Sequence, residues 1–369
     1  MKSRSFTGGL YVSDPWEAQT TRRGDPLGFQ GIANDIAANL APGISGRHQD
    51  IRWLTLLCKG LSIIQNDQSI TEKYSRLSLW ERGILCYCIN NNDDKGKGIH
   101  LPGKLKAPHD WPDRYRFQGP FGAYKSLLTN IGLTEQDGYQ MTESGLKLSR
   151  VIKEAIPRNK KNIIDFAPFE KFAPKHWSDT TLFDIEKVIL KPALFGNDEH
   201  SKRRRHTANT MAMAESELDF WHKWDDKKGP IYYWFDQFTK YCFSILRFLH
   251  DNIDVNGSKI DDLPQNTSLT HKLKNLIDDS TTYDLSNMPN VVILITHLKK
   301  NSDDLGRAIL EHHINLNTTQ LCWFGKRNNK VYCLNENGKI RSRYRYRRQQ
   351  LWRLANQLLD TQGIENEFW

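Results

Sequence analysis

The apolar positions recur mostly at helical spacing. In "LGFQGIANDIAANLAPG", Ile32, Ile36 and Leu40 fall on one face of a helix that Pro42-Gly43 stops. "SGRHQDIRWLTLLCKGLSIIQ" restarts the pattern, with Ile51, Leu54, Leu57, Cys58 and Leu61 on one stripe. "SLWERGILCYCINNN" predicts another short helix capped by Ser78. "TTLFDIEKVILKPALFG" predicts a helix, and "NDEHSKRRRHTANTMAMAESELDFW" reads as a loop and then a helix. "PIYYWFDQFTKYCFSILRFLHDNI" is the most apolar helix and is expected to be buried on most sides. A polar loop follows from about 254 to 268. "NVVILITHL" is a β-branched run that fits a buried strand or a short helix, and "DDLGRAILEHHI" predicts a helix. "QLCWFGKRNNKVYCLNENGKIRSRYRY" predicts three strands joined at Asn328-Asn329 and Asn337-Gly338. The last helix, "RRQQLWRLANQLLDTQG", carries Leu351, Leu354, Leu358 and Leu359 on one face.

One segment combines both periods. In "GPFGAYKSLLTNIGL", Tyr124, Leu127, Leu128 and Ile131 share a helical face, and Gly132 closes it as a C-cap. Asp137-Gly138 is a strong hairpin signal, and Thr142 is an N-cap for the helix in "TESGLKLSRVIKEAI". The spacing of Gly132, Leu133, Tyr139, Met141, Thr142 and Gly145 resembles the hairpin-then-helix ending of prokaryotic winged-helix domains. That resemblance implies a winged-helix-like module at about 119–155. Its turn, "TEQDG", is acidic where a DNA-touching wing carries Lys or Arg, so contact with DNA and docking of a protein both stay open.

The expected fold class is therefore α+β and predominantly α-helical, with a small β-meander near the C-terminus. Composition shifts divide it into an N-terminal helical region (1–100), the winged-helix-like domain (101–156), a helical middle (157–260) and a basic C-terminal α+β region (261–369).

Charge changes the picture more than composition does. Fifty-two Lys and Arg against 43 Asp and Glu give a net charge of +9, which suits an acidic partner such as DNA or RNA. The excess is concentrated. Lys339, Arg341, Arg343, Arg345, Arg347, Arg348 and Arg353 occur with no acid among them, interleaved with Tyr344, Tyr346 and Trp352. On a strand, Arg341, Arg343, Arg345 and Arg347 would line one face at a spacing of about 6.6 Å, with Tyr344 and Tyr346 on the other. Such a row can track phosphates; the alternative is a solvated edge strand whose charges prevent pairing. Lys125, Lys147 and Arg150 around the hairpin, and Arg203, Arg204 and Arg205 in the "HSKRRRH" loop, are further nucleic-acid candidates. Arg47 and Arg52 are expected to pair with local acids instead.

Catalytic signals are lacking. The chain has no Asp followed by Glu-x-Lys on adjacent strands, no phosphate-binding loop, no His-Glu-x-x-His and no Gly-x-Ser-x-Gly. His312 and His313 are adjacent on a helix and diverge by about 100°; His250-Asp251 reads as a helix end. The six cysteines have no metal or redox spacing, although Cys322 and Cys333 could face each other across a hairpin. No catalytic residue, metal or cofactor is expected, and a non-enzymatic role is favoured. The N-terminus lacks the apolar core of a secretory signal, and no window reaches a membrane span, so the expected location is cytoplasmic.

Residues 31–61 carry a further likeness. Ala37, Leu40, Pro42, Gly43, Ser45, Arg52 and Trp53 match a segment that resembles the N-terminal part of accessory proteins in bacterial anti-phage defence islands, with Asp50 where the first Arg of an Arg-x-Arg stands. The resemblance implies a subunit working beside an ATPase or nuclease in a restriction-type system. The expectation is a non-enzymatic subunit that engages double-stranded DNA or serves as a scaffold, with no membrane partner. A nuclease-type effector with an unrecognised site and a winged-helix transcriptional regulator are the alternatives.

Overall fold

Apolar residues every three or four positions make helices, and the described chain is mostly helical with one three-stranded antiparallel sheet. The computed structural model describes residues 25–48, 50–65, 69, 73, 77–78, 80–81, 83–85, 119–153, 176–254, 257–316, 323–327, 329–333, 344, 346 and 348–359. By spatial contact the chain forms two compact units: Met1–Ile36 with Glu217–Arg345, and Ala37–Ser216 with Tyr346–Trp369. These units follow contact, whereas the four sequence segments follow composition shifts. The unit boundary falls inside α1 (Gln30–Leu40).

The second unit contains α2 (Trp53–Ile64), α3 (Pro120–Asn130), α4 (Glu143–Ser149), α5 (Thr180–Phe195), α6 (Glu199–Met213) and, from the far end of the chain, α12 (Arg348–Leu358). Helix α2 is almost wholly apolar and packs against α3 and α4, while α5, α6 and α12 pack against one another. The first unit is organised around α8 (Lys228–Asn252), which buries Trp234, Phe235, Phe238, Cys242, Phe243, Leu246 and Leu249. Around it pack α7 (Glu217–Trp224), α9 (Thr267–Asp279) and α11 (Leu305–Leu316). Gly229 is required by the α7–α8 approach, because a Cβ there would collide with the Trp221 carbonyl.

The ambiguous run "NVVILITHL" is a helix, α10 (Pro289–Lys300). Proline opens it, and Val291, Leu294, Ile295 and Leu298 are buried at helical spacing, which no strand can do. The sheet has the order β1-β3-β2, from β1 (Ser258–Lys259), β2 (Phe324–Arg327) and β3 (Lys330–Cys333). Its β2–β3 turn holds Asn329 at φ 59°, a left-handed conformation Asn tolerates. The third strand comes from the segment read as a polar loop; the strand expected after Asn337 lies outside the described residues.

The helix–hairpin–helix signals of α3 and α4 hold individually. Gly132 has φ 70°, and Leu133 N–H reaches back to Leu128 O at 2.9 Å. The turn is closed by Gly138 N–H to Glu135 O (2.8 Å), and Asp137 Oδ1 accepts from the amides of Tyr139 and Gln140. Thr134 and Met141 form an isolated bridge, and the Thr142 hydroxyl accepts from Gly145 N–H to cap α4. Tyr124, Leu127, Leu128 and Ile131 are all buried. Among the described residues no helix is long and apolar enough to cross a membrane.

Gly138 sits at φ 72°, and a Cβ there would meet the Lys125 side chain. Gly138→Val is expected to cost about 1–3 kcal/mol, read as a lower thermal midpoint; an unchanged midpoint would mean that the turn carries no conformational demand.

Candidate nucleic-acid interface

Within the second unit α12 lies against α6, the helix that carries Arg203, Arg204 and Arg205. The stretch holding Arg203, Arg204 and Arg205 is not the loop expected from its polarity. Asp198 caps α6 by accepting from Ser201 N–H at 2.9 Å, so all three arginines are helical.

Helical geometry then separates their roles. Arg204 is completely buried. Its Nε donates to Leu194 O at 2.7 Å, Nη1 to Pro42 O at 2.9 Å, and Nη2 to Ser201 Oγ at 2.8 Å and Ala193 O at 3.5 Å. Burial brings its pKa down to about 10, so it stays charged at neutral pH. Arg204 is thus a structural cross-link and is withdrawn from the phosphate ligands. Arg203 is held by Glu199 (3.0 Å) and Asn39 (3.2 Å). Arg205 is half-buried, Lys202 and His206 are exposed, and Lys202 and Arg205 make no side-chain hydrogen bond or ion pair among the described residues. His206 escaped the sequence reading because its face exists only once the stretch is helical. The signal was available in Asp198-Glu199, an N-cap followed by a first-turn acid.

Arg348 is also corrected. It opens α12 buried, with its guanidinium 5.7 Å from the Tyr346 ring centroid, where a phosphate cannot reach it. Tyr344 and Tyr346 are buried. The Tyr344 hydroxyl donates to Asp25 Oδ1 at 2.6 Å, and its ring packs on Phe235 and Phe243. Arg353 is exposed on α12. Lys339, Arg341, Arg343, Arg345 and Arg347 lie outside the described residues.

Around the hairpin Lys125 and Lys147 are engaged locally. Lys125 Nζ lies 4.6 Å from the Tyr139 ring centroid and 5.8 Å from that of Phe121. Lys147 pairs with Glu143 at 2.7 Å in an exposed i,i+4 contact, and Arg150 is exposed. The paired histidines do not converge. His312 Nε2 lies 3.2 Å from Leu27 O; His313 donates from Nδ1 to Pro26 O at 2.9 Å and accepts Trp323 N–H on Nε2. Cys58 and Cys242 are buried free thiols, and Cys333 Sγ contacts His250 O, while Cys322, Cys86 and Cys88 lie outside the described residues.

A second charged cluster is fully interior. Arg52 donates from Nε to Glu186 Oε2 at 2.8 Å and from Nη1 to Trp177 O at 3.2 Å, and His176 Nε2 lies 3.6 Å from Glu186 Oε1. The expected local acid is therefore corrected to one 134 residues away. Burial pushes the Glu186 carboxyl up to about 7 against the pull of Arg52. Burial, with the Arg52 charge, holds His176 down to about 3. Among the described residues no group of three or more His, Cys, Asp or Glu could hold a metal ion. No family model, curated protein or solved structure matches this chain.

Two outcomes follow from these buried groups. Arg204→Ala leaves interior carbonyls without donors and is expected to cost about 3 kcal/mol or more, measured by urea unfolding; a loss below about 1 kcal/mol would remove Arg204 from its structural role. The interior cluster sets opposing pH slopes. Glu186 holds its proton more tightly when folded, so its contribution to stability falls as pH rises from about 4.5 to about 7. His176 stays neutral when folded, so its contribution is lost as pH falls from about 6.5 towards about 3. Relative to the parent, Glu186→Gln should steepen the rise of unfolding free energy between pH 4.5 and 6.5, and a parallel profile would refute this assignment.

Proposed function

We propose that the chain is a non-enzymatic subunit that holds double-stranded DNA by its phosphates without reading sequence, acting within a cytoplasmic anti-phage defence complex. The observation that carries the DNA contact is the run of Lys339, Arg341, Arg343, Arg345 and Arg347 with no acid among them. The burial of Tyr344 and Tyr346, which alternate with arginines in that run, supports it.

The defence assignment and the partner ATPase or nuclease rest on the likeness of residues 31–61. In this reading α3, the hairpin and α4 form a winged-helix-like module. Lys125 is folded over aromatic rings, Lys147 is paired and the turn is acidic, which favours docking of a protein over contact with DNA.

The test is binding of the full chain to labelled duplexes of unrelated sequence at graded salt, with and without divalent metal. Arg343→Ala/Arg345→Ala/Arg347→Ala should weaken binding equally on every duplex and flatten the dependence of log K on log salt by about 3. Unchanged affinity in that variant would overturn the proposal. Metal-dependent cleavage would replace it with the nuclease reading, and preference for one sequence with the regulator.

A further inference from the structure

The outer face of α6 is basic, and the burial of Arg204 determines which residues occupy it. Successive helical residues turn by about 100°, so Lys202 and His206 project about 160° away from Arg204, and Asn209 about 140°. Lys202, His206 and Asn209 are accordingly exposed, with half-buried Arg205 beside them. The stripe from Lys202 to Asn209 rises about 10 Å along the helix axis.

The acids on α6 and at its N-cap are occupied. Asp198 accepts from Ser201 N–H at the N-cap, Glu199 is paired with Arg203 at 3.0 Å, and no further acid occurs in α6. Lys202 and Arg205 are left without a side-chain partner among the described residues. Three hydrogen bonds from Arg204 anchor the helix to α5 and to Pro42, so the stripe is presented by a rigid element and not by a loop.

The geometry points to α6 as a phosphate-gripping face in its own right: Lys202, Arg205 and His206 hold phosphates of the duplex backbone. This inference rests on the DNA reading above. It adds phosphate contacts that are carried on a rigid helix.

The experiment uses the full chain, the same duplexes and two variants, Lys202→Ala/Arg205→Ala and Arg343→Ala/Arg345→Ala/Arg347→Ala. The α6 variant should lose affinity on every sequence and flatten the salt slope by about 1.8, which is about 0.9 for each phosphate contact removed. Its thermal midpoint should stay at the parent value; if it falls, Lys202→Gln/Arg205→Gln takes its place. A parent protein that fails to bind at low salt sinks the DNA reading and this inference together. A parent that binds and a C-terminal variant that weakens, beside an α6 variant with an unchanged slope, makes this stripe a solvated helix face and overturns this inference alone.

Discussion

A single guanidinium, buried without a carboxylate partner, governs the organisation of the second unit. Arg204 is charged and wholly interior, a costly arrangement unless its donors are satisfied. Satisfaction comes from backbone. Ala193 and Leu194 lie at the C-terminal end of α5, where carbonyls have no partner within the helix and the helix dipole is negative. Pro42 O, in the turn after α1, takes a third bond. One side chain thereby supplies a counter-charge to a helix end and ties a turn and two helices together. Because α6 cannot rotate without breaking those bonds, the direction of every other side chain on it follows.

The interior pair of Arg52 and Glu186 does related work elsewhere in the same unit. It joins the loop before α2 to α5 and its preceding turn, and Trp53 packs edge-on to Trp177 beside it at 5.5 Å. The same loop is pinned to α3 by His48, which accepts Ser45 N–H on Nδ1 and donates from Nε2 to Ala123 O, and by the Tyr124 hydroxyl on Asp50 O. Gly43, at φ 74°, lets the chain pass Asn130 closely. The residues behind the defence-protein likeness are thus mostly joints and core. Their pattern reports how this unit is assembled, and chemistry has to be sought on surfaces such as α6.

Much of the local structure was legible from the sequence. Gly132, Asp137-Gly138 and Thr142 encode a helix end, a turn and a helix start through their own backbone preferences, and all three behave as their types dictate. The stripes of α2 and α12 were equally plain, since an apolar face needs no partner to be recognised. The charged run around Arg204 was misread for the opposite reason. Three successive arginines look solvated, and only a cap bond at Asp198 and acceptors from distant segments make the middle one an interior residue.

The sequence alone determined the helical class, the helix–hairpin–helix segment and the concentration of positive charge near the C-terminus, because propensity, capping and charge count are local properties. Tertiary structure alone decided that "NVVILITHL" is a helix, that β1 completes the sheet, that Arg52 pairs with Glu186, and which cations are interior or exposed. Those outcomes depend on which distant carbonyl, carboxylate or strand edge arrives beside a residue, and that is a property of the packed chain.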